Sequence, residues 1–135
     1  MVEERLRQSL QVSGLPPDRF VRAVIPTLFS GSAPAELVDG FAAIMSELHP
    51  AGFRAMARSL AEADLRDVLP RIDVPTLLLH GDQDVSAPLN VAEALHAAIP
   101  TSRLVVMPDV GHMSNVESGD RFNAEVRTFI RSATI

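Results

Sequence analysis

The sequence predicts an α/β protein whose parallel sheet is incomplete within this chain: a helical region over residues 1–70, then two strands and two helices over 71–135. Three observations lead there. Apolar residues before Leu69-Pro70 recur at helical spacing with no strand pattern. After Val74-Pro75 the order becomes strand, helix, strand, helix, as in a sheet of parallel strands joined by crossovers. Two parallel strands alone leave a bare edge and cannot cover both faces, so these read as the end of a larger sheet.

The elements follow in order. Val2, Leu6 and Leu10 indicate a short first helix, and Phe20, Val21, Val24, Ile25 and Leu28 a second, with a kink expected at Pro26. Leu37, Phe41, Ile44, Met45 and Leu48 form one continuous stripe. Ser32 is placed to cap that helix and Pro34 to sit in its first turn, where its missing amide hydrogen costs nothing. His49-Pro50 ends it, because a residue before proline is pushed out of the α region. Phe53, Met56, Ala57 and Leu60 mark the next helix face. Thr76-Leu77-Leu78-Leu79-His80, stopped by Gly81, has the continuous apolar character of a strand buried on both faces. A helix carrying Val91, Leu95, Ala98 and Ile99 leads to a second strand, Arg103–Met107, and Phe122, Val126, Phe129 and Ile130 mark the last helix.

Composition excludes several classes of function. The 135 residues are 47% apolar, enough for one folded domain rather than a disordered chain. No run approaches the ~20 apolar residues of a membrane span. The charged opening Met1-Val2-Glu3-Glu4-Arg5 is unlike a signal peptide, so a cytoplasmic location is expected. There is no cysteine, which removes disulfides, a thiolate nucleophile and Cys-ligated zinc. The net charge of -5 without a basic block argues against nucleic acid. Phosphate-binding glycine loops and metal-ligand spacings are missing, so no cofactor and no metal is implied.

Chemistry belongs on the loops at the carboxyl ends of the two strands. Those loops are 81–88 and 108–115, and adjacent parallel strands bring them side by side. One offers Asp84 and the other His112. A carboxylate that fixes an imidazole tautomer and stabilises its cation leaves the other nitrogen free to take and return a proton. Asp82 shares the turn with Asp84 and is a rival for the carboxylate.

Here the sequence resembles the α/β-hydrolase fold family. Val74-Pro75-Thr76-Leu77-Leu78-Leu79-His80-Gly81-Asp82-Gln83-Asp84, with Pro88 following, is similar to that family's penultimate core strand and acid loop, and Pro108-Asp109-Val110-Gly111-His112 to its histidine loop. The lead-in 63–72 and the run His112-Met113-Ser114-Asn115-Val116-Glu117 resemble enol-lactone hydrolases of the 3-oxoadipate enol-lactonase type. The resemblance implies Asp84 as triad acid, His112 as triad base, and residues 1–70 as a helical cap. The family's spacing of proline four residues after the acid selects Asp84 over Asp82, which is left to bond its own turn. The nucleophile elbow Gly-x-Ser-x-Gly is absent, since no serine has glycine at both -2 and +2. Family order runs nucleophile, acid, base, so the serine, its oxyanion loop and the other strands are expected before Met1. The implied activity is hydrolysis of a small carboxylic ester or enol-lactone, with the isolated chain inactive. The alternative is a non-catalytic remnant or split-enzyme subunit that binds an N-terminal half, or a second copy, at the open sheet edge; a third reading is a free-standing helical binding module.

The remaining candidates keep two readings. Phe29, Met45, Phe53, Met56 and Met113 either face an acyl or lactone pocket or simply pack. The run 114–117 either lines the substrate site or caps the last helix. His80 is read as a strand-end histidine packed on the sheet, and His49 and His96 receive no role.

Overall fold

A computed structural model of the chain describes residues 15–133. The short helix expected around Val2, Leu6 and Leu10 lies outside them. Three helices come first: α1 (Pro17–Leu28), α2 (Ala35–Ser46) and α3 (Pro50–Glu62). A 3-10 turn at Leu69–Arg71 leads into β1 (Thr76–Gly81), followed by α4 (Leu89–Ala98), β2 (Ser102–Met107), the single-turn α5 (Ser114–Glu117) and α6 (Gly119–Ala133). Among the described residues no helix is long and apolar enough to cross a membrane.

The helical region is held by aromatic contacts. Phe20 on α1 and Phe53 on α3 meet edge to face with centroids 4.7 Å apart, and Phe29 meets Phe41 on α2 at 5.4 Å. Pro26 lies within α1, which runs on to Leu28. Ser32 does not cap α2: Pro34 occupies the N-cap without a side-chain bond, and the Ser32 hydroxyl pairs with Ser30 Oγ at 3.0 Å. His49 takes the N-cap of α3, its Nδ1 accepting from the Ala51 amide at 3.3 Å. After α3, the Asp64 carboxylate accepts from the Arg66 amide and guanidinium. That side-chain bond holds the exposed carboxyl down to about 2. The stripe on α2 is only partly covered, with Ile44 exposed; the helix stops at Ser46, short of the expected end at His49-Pro50, so Leu48 lies beyond it and is exposed, as are Met56 and Leu60 on α3.

The two strands pair in parallel from Thr76 opposite Ser102 to Gly81 opposite Met107. Burial on both faces, expected for β1, is not reached: its residues are half-buried except Gly81. Two strands offer too narrow a sheet for the flanking helices to close over both faces. At the carboxyl end of the strands Met107 has no exposure and Val110 is buried, and Ile99 is buried where the crossover enters β2. His96 secures the crossover, its Nδ1 lying 2.8 Å from Ser102 Oγ.

Gly81 has no room for a side chain, because a Cβ there would overlap the backbone of Val110 and Gly111. Gly40, inside α2, has open space around it. Gly81→Ala is therefore expected to lower unfolding free energy by about 2–3 kcal/mol through forced backbone displacement. Gly40→Ala should raise it by about 0.5–1 kcal/mol by restricting the unfolded chain and favouring helix. Urea titration of both variants checks the contrast.

Candidate active site

The register delivers the two loops to one place. β1 ends at Gly81, opposite the end of β2 at Met107, and the following residues of each strand cross toward the other. The Asp82 amide donates to the Met107 carbonyl at 3.0 Å and the Gln83 amide to Val110 at 2.9 Å. Asp109 turns the base loop with φ of 60°, a left-handed conformation that a short polar side chain tolerates.

Asp84 and His112 meet at this junction, with His112 Nδ1 2.8 Å from Asp84 Oδ2. The Asp84 side chain is only 4% exposed, whereas that of His112 is 42% exposed. An ionised carboxylate can only accept, so the proton belongs on Nδ1 and Nε2 is the basic nitrogen. The other carboxylate oxygen, Oδ1, accepts from the Ala87 amide at 2.8 Å, and the Asp84 amide donates to Gly81 at 3.2 Å. Asp84 thus closes the turn that was expected to be bonded by Asp82. The Asp82 side chain makes no hydrogen bond among the described residues and Asp82 is exposed. A charge-assisted bond of this kind contributes about 1.5–3 kcal/mol and orients the ring.

The end of α1 packs onto both loops. Helix C-termini leave carbonyls unpaired. Here the Thr27 carbonyl accepts from Ser86 Oγ in the acid loop at 2.7 Å, and the Leu28 carbonyl accepts from the Met113 amide in the base loop at 2.9 Å. Gly111 permits this approach, since a Cβ on it would lie 2.6 Å from the Ser30 nitrogen.

The Glu117 carboxylate does not cap α6; it reaches back to accept from the Ser30 amide at 3.1 Å, the Ser30 hydroxyl and the Gly111 amide at 3.0 Å. The sequence carries no local sign of this, because Ser30 is 87 residues away.

The five apolar candidates are spread out. Phe29 is buried against Phe41 and Phe53 packs on Phe20. Met45 is half-buried, Met56 exposed, and half-buried Met113 follows His112 directly. His80 lies on β1 with Nε2 buried and lacking a hydrogen-bond partner among the described residues. Nor do the described residues contain a group of three side chains able to hold a metal.

The chain belongs to the alpha/beta hydrolase fold family, whose model matches residues 13–118. A non-heme haloperoxidase of Rhodococcus erythropolis is 38% identical over 76 residues, 56% of this chain and 28% of that protein. An esterase from Thermogutta terrifontis superposes with a TM-score of 0.86 at 30% identity, over 99% of this chain and 51% of its own. The enol-lactonase from Burkholderia xenovorans LB400 does so at 0.82 and 26% identity, over 96% of this chain and 50% of its own. The chain therefore spans about half the length of these solved structures.

Asp84→Asn keeps the Ala87 contact but turns an NH2 group toward His112. Nδ1 must then accept, and the ring proton is expected to move to Nε2. Imidazole nitrogen shifts in the full chain report this tautomer exchange directly.

Proposed function

We propose that this chain supplies the acid and base of a Ser-His-Asp hydrolase acting on a small carboxylic ester or enol-lactone. The single observation that carries this reading is the 2.8 Å bond between His112 Nδ1 and buried Asp84. The esterase and enol-lactonase among the solved structures support the substrate class. No serine of this sequence lies in a Gly-x-Ser-x-Gly elbow, so the nucleophile comes from outside these 135 residues.

The chemistry follows from the two side chains. His112 Nε2 takes the proton of the attacking serine as its oxygen bonds to the carbonyl carbon. It returns that proton to the departing alkoxide or enolate oxygen as the acyl–oxygen bond breaks. Nε2 then draws a proton from water as its oxygen attacks the acyl carbon, and gives that proton to the serine oxygen as the acyl–serine bond breaks and the carboxylic acid leaves. Asp84 stays ionised throughout and stabilises the imidazolium.

A second reading is favoured by the sheet. Among the described residues β1 and β2 pair only with each other, which leaves β1 an edge for a strand of a separate polypeptide. In that case the chain is one subunit of a split enzyme or a non-catalytic binding partner.

The isolated chain should hydrolyse p-nitrophenyl acetate no faster than its His112→Ala variant. Fused behind the half of the Thermogutta terrifontis esterase that it does not cover, it should gain turnover. His112→Ala should then reduce kcat by roughly 10³–10⁴-fold. A fusion that turns over equally well without His112 would refute the acid–base role. Recovery of turnover on mixing two separate chains would select the split arrangement.

A further inference from the structure

The position of His112 along its own loop is set by something other than Asp84. Asp84 holds one ring nitrogen, while much of the ring stands open to solvent. Its direction therefore depends on where the backbone of Gly111 and His112 lies. That backbone is pressed against Phe29 and Ser30, and both the Gly111 amide and the Ser30 amide turn toward one oxygen, Oε2 of Glu117. The other oxygen, Oε1, takes the Ser30 hydroxyl. Three donors from two distant segments thus converge on one carboxylate. An ionised carboxylate is the side chain that accepts at both oxygens.

We propose that Glu117 is a positioning residue, which sets the direction of His112 through the Gly111 amide and locks the base loop to the segment after α1. The inference rests on the acid–base reading of Asp84 and His112. Glutamine is the conservative replacement, because its one acceptor oxygen can serve the two amides while the Ser30 hydroxyl reverses to accept from its NH2 group. Aspartate keeps the charge but is one methylene too short to reach both segments.

The test uses the nitrogen-labelled 135-residue chain. Amide exchange at Gly111, the ring nitrogen shifts of His112 and the urea midpoint are measured for Glu117→Ala, Glu117→Asp and Glu117→Gln. Ala and Asp are expected to speed Gly111 exchange about tenfold or more and to move the His112 ring shifts toward those of a free imidazole. Gln should stay within about threefold of the parent exchange rate, with its ring shifts unchanged. Where Ala prevents folding, Asp carries the comparison. Parent-like Gly111 exchange and His112 shifts in the folded Ala or Asp variant would overturn the proposal, whatever the urea midpoint does. Asp84→Asn, measured alongside, separates the two ideas. If it leaves the His112 ring untouched, the acid–base reading fails, whereas a Gly111 response to Glu117 would still locate the carboxylate's effect in the loop.

Discussion

The in-register pairing of two short parallel strands is the constraint on which the site depends. Gly81 opposite Met107 sets the starting points of two loops, and each is then held by bonds to the other strand's exit. Asp84 and His112 come together because their loops leave the sheet side by side, not because they are close in sequence. The parallel arrangement also explains the crowding at this end. Two strands leaving a sheet in the same direction need close backbone approach, and Gly81 provides it where a Cβ would collide with the backbone of Val110 and Gly111, while Gly111 leaves room for Phe29 and Ser30.

Polar accounting connects this junction to the helices. A helix that stops against two loops must find partners for its last carbonyls. The end of α1 finds them in Ser86 and Met113, one from each loop. Glu117 answers the complementary need, accepting amides that neither the sheet nor a helix can satisfy. Burial of Asp84 beside an accessible His112 gives the pair its asymmetry. The Asp84 carboxylate is shielded from competing water, whereas the His112 ring is open to solvent.

How much of this was legible in the sequence depended on range. Strand, crossover and strand were readable from the apolar runs and their Gly and Pro stops, and β1 and β2 lie within a residue of the expected limits. Strand ends specify where the two loops emerge, which brings His112 to either Asp82 or Asp84; only the family resemblance, through Pro88, singles out Asp84. Position alone makes Ser32 a cap candidate, but a hydroxyl near a helix start can bond elsewhere, and here it bonds Ser30. Periodicity locates the apolar face of α2 but neither its end, which falls before Leu48, nor what covers it, and Ile44 is exposed. Glu117 was out of reach, since nothing near it in sequence announces a partner in the first helical region. His80 faced the same limit: its place on the strand was clear, its unpaired Nε2 was not.

The carbonyls of Thr27 and Leu28 bear on how such a protein can diversify. They belong to consecutive residues and bind the two loops through backbone oxygens, which any amino acid supplies. The joint between the helical region and the sheet thus combines these main-chain acceptors with the Ser86 hydroxyl and the Glu117 carboxylate. Both oxygens belong to the backbone of α1, so exposed side chains such as Ile44 on α2 and Met56 on α3 take no part in the docking. Such exposed positions and the Asp84–His112 bond can therefore change on separate evolutionary schedules, with the few residues between Thr27 and Ser32 as the coupling between them.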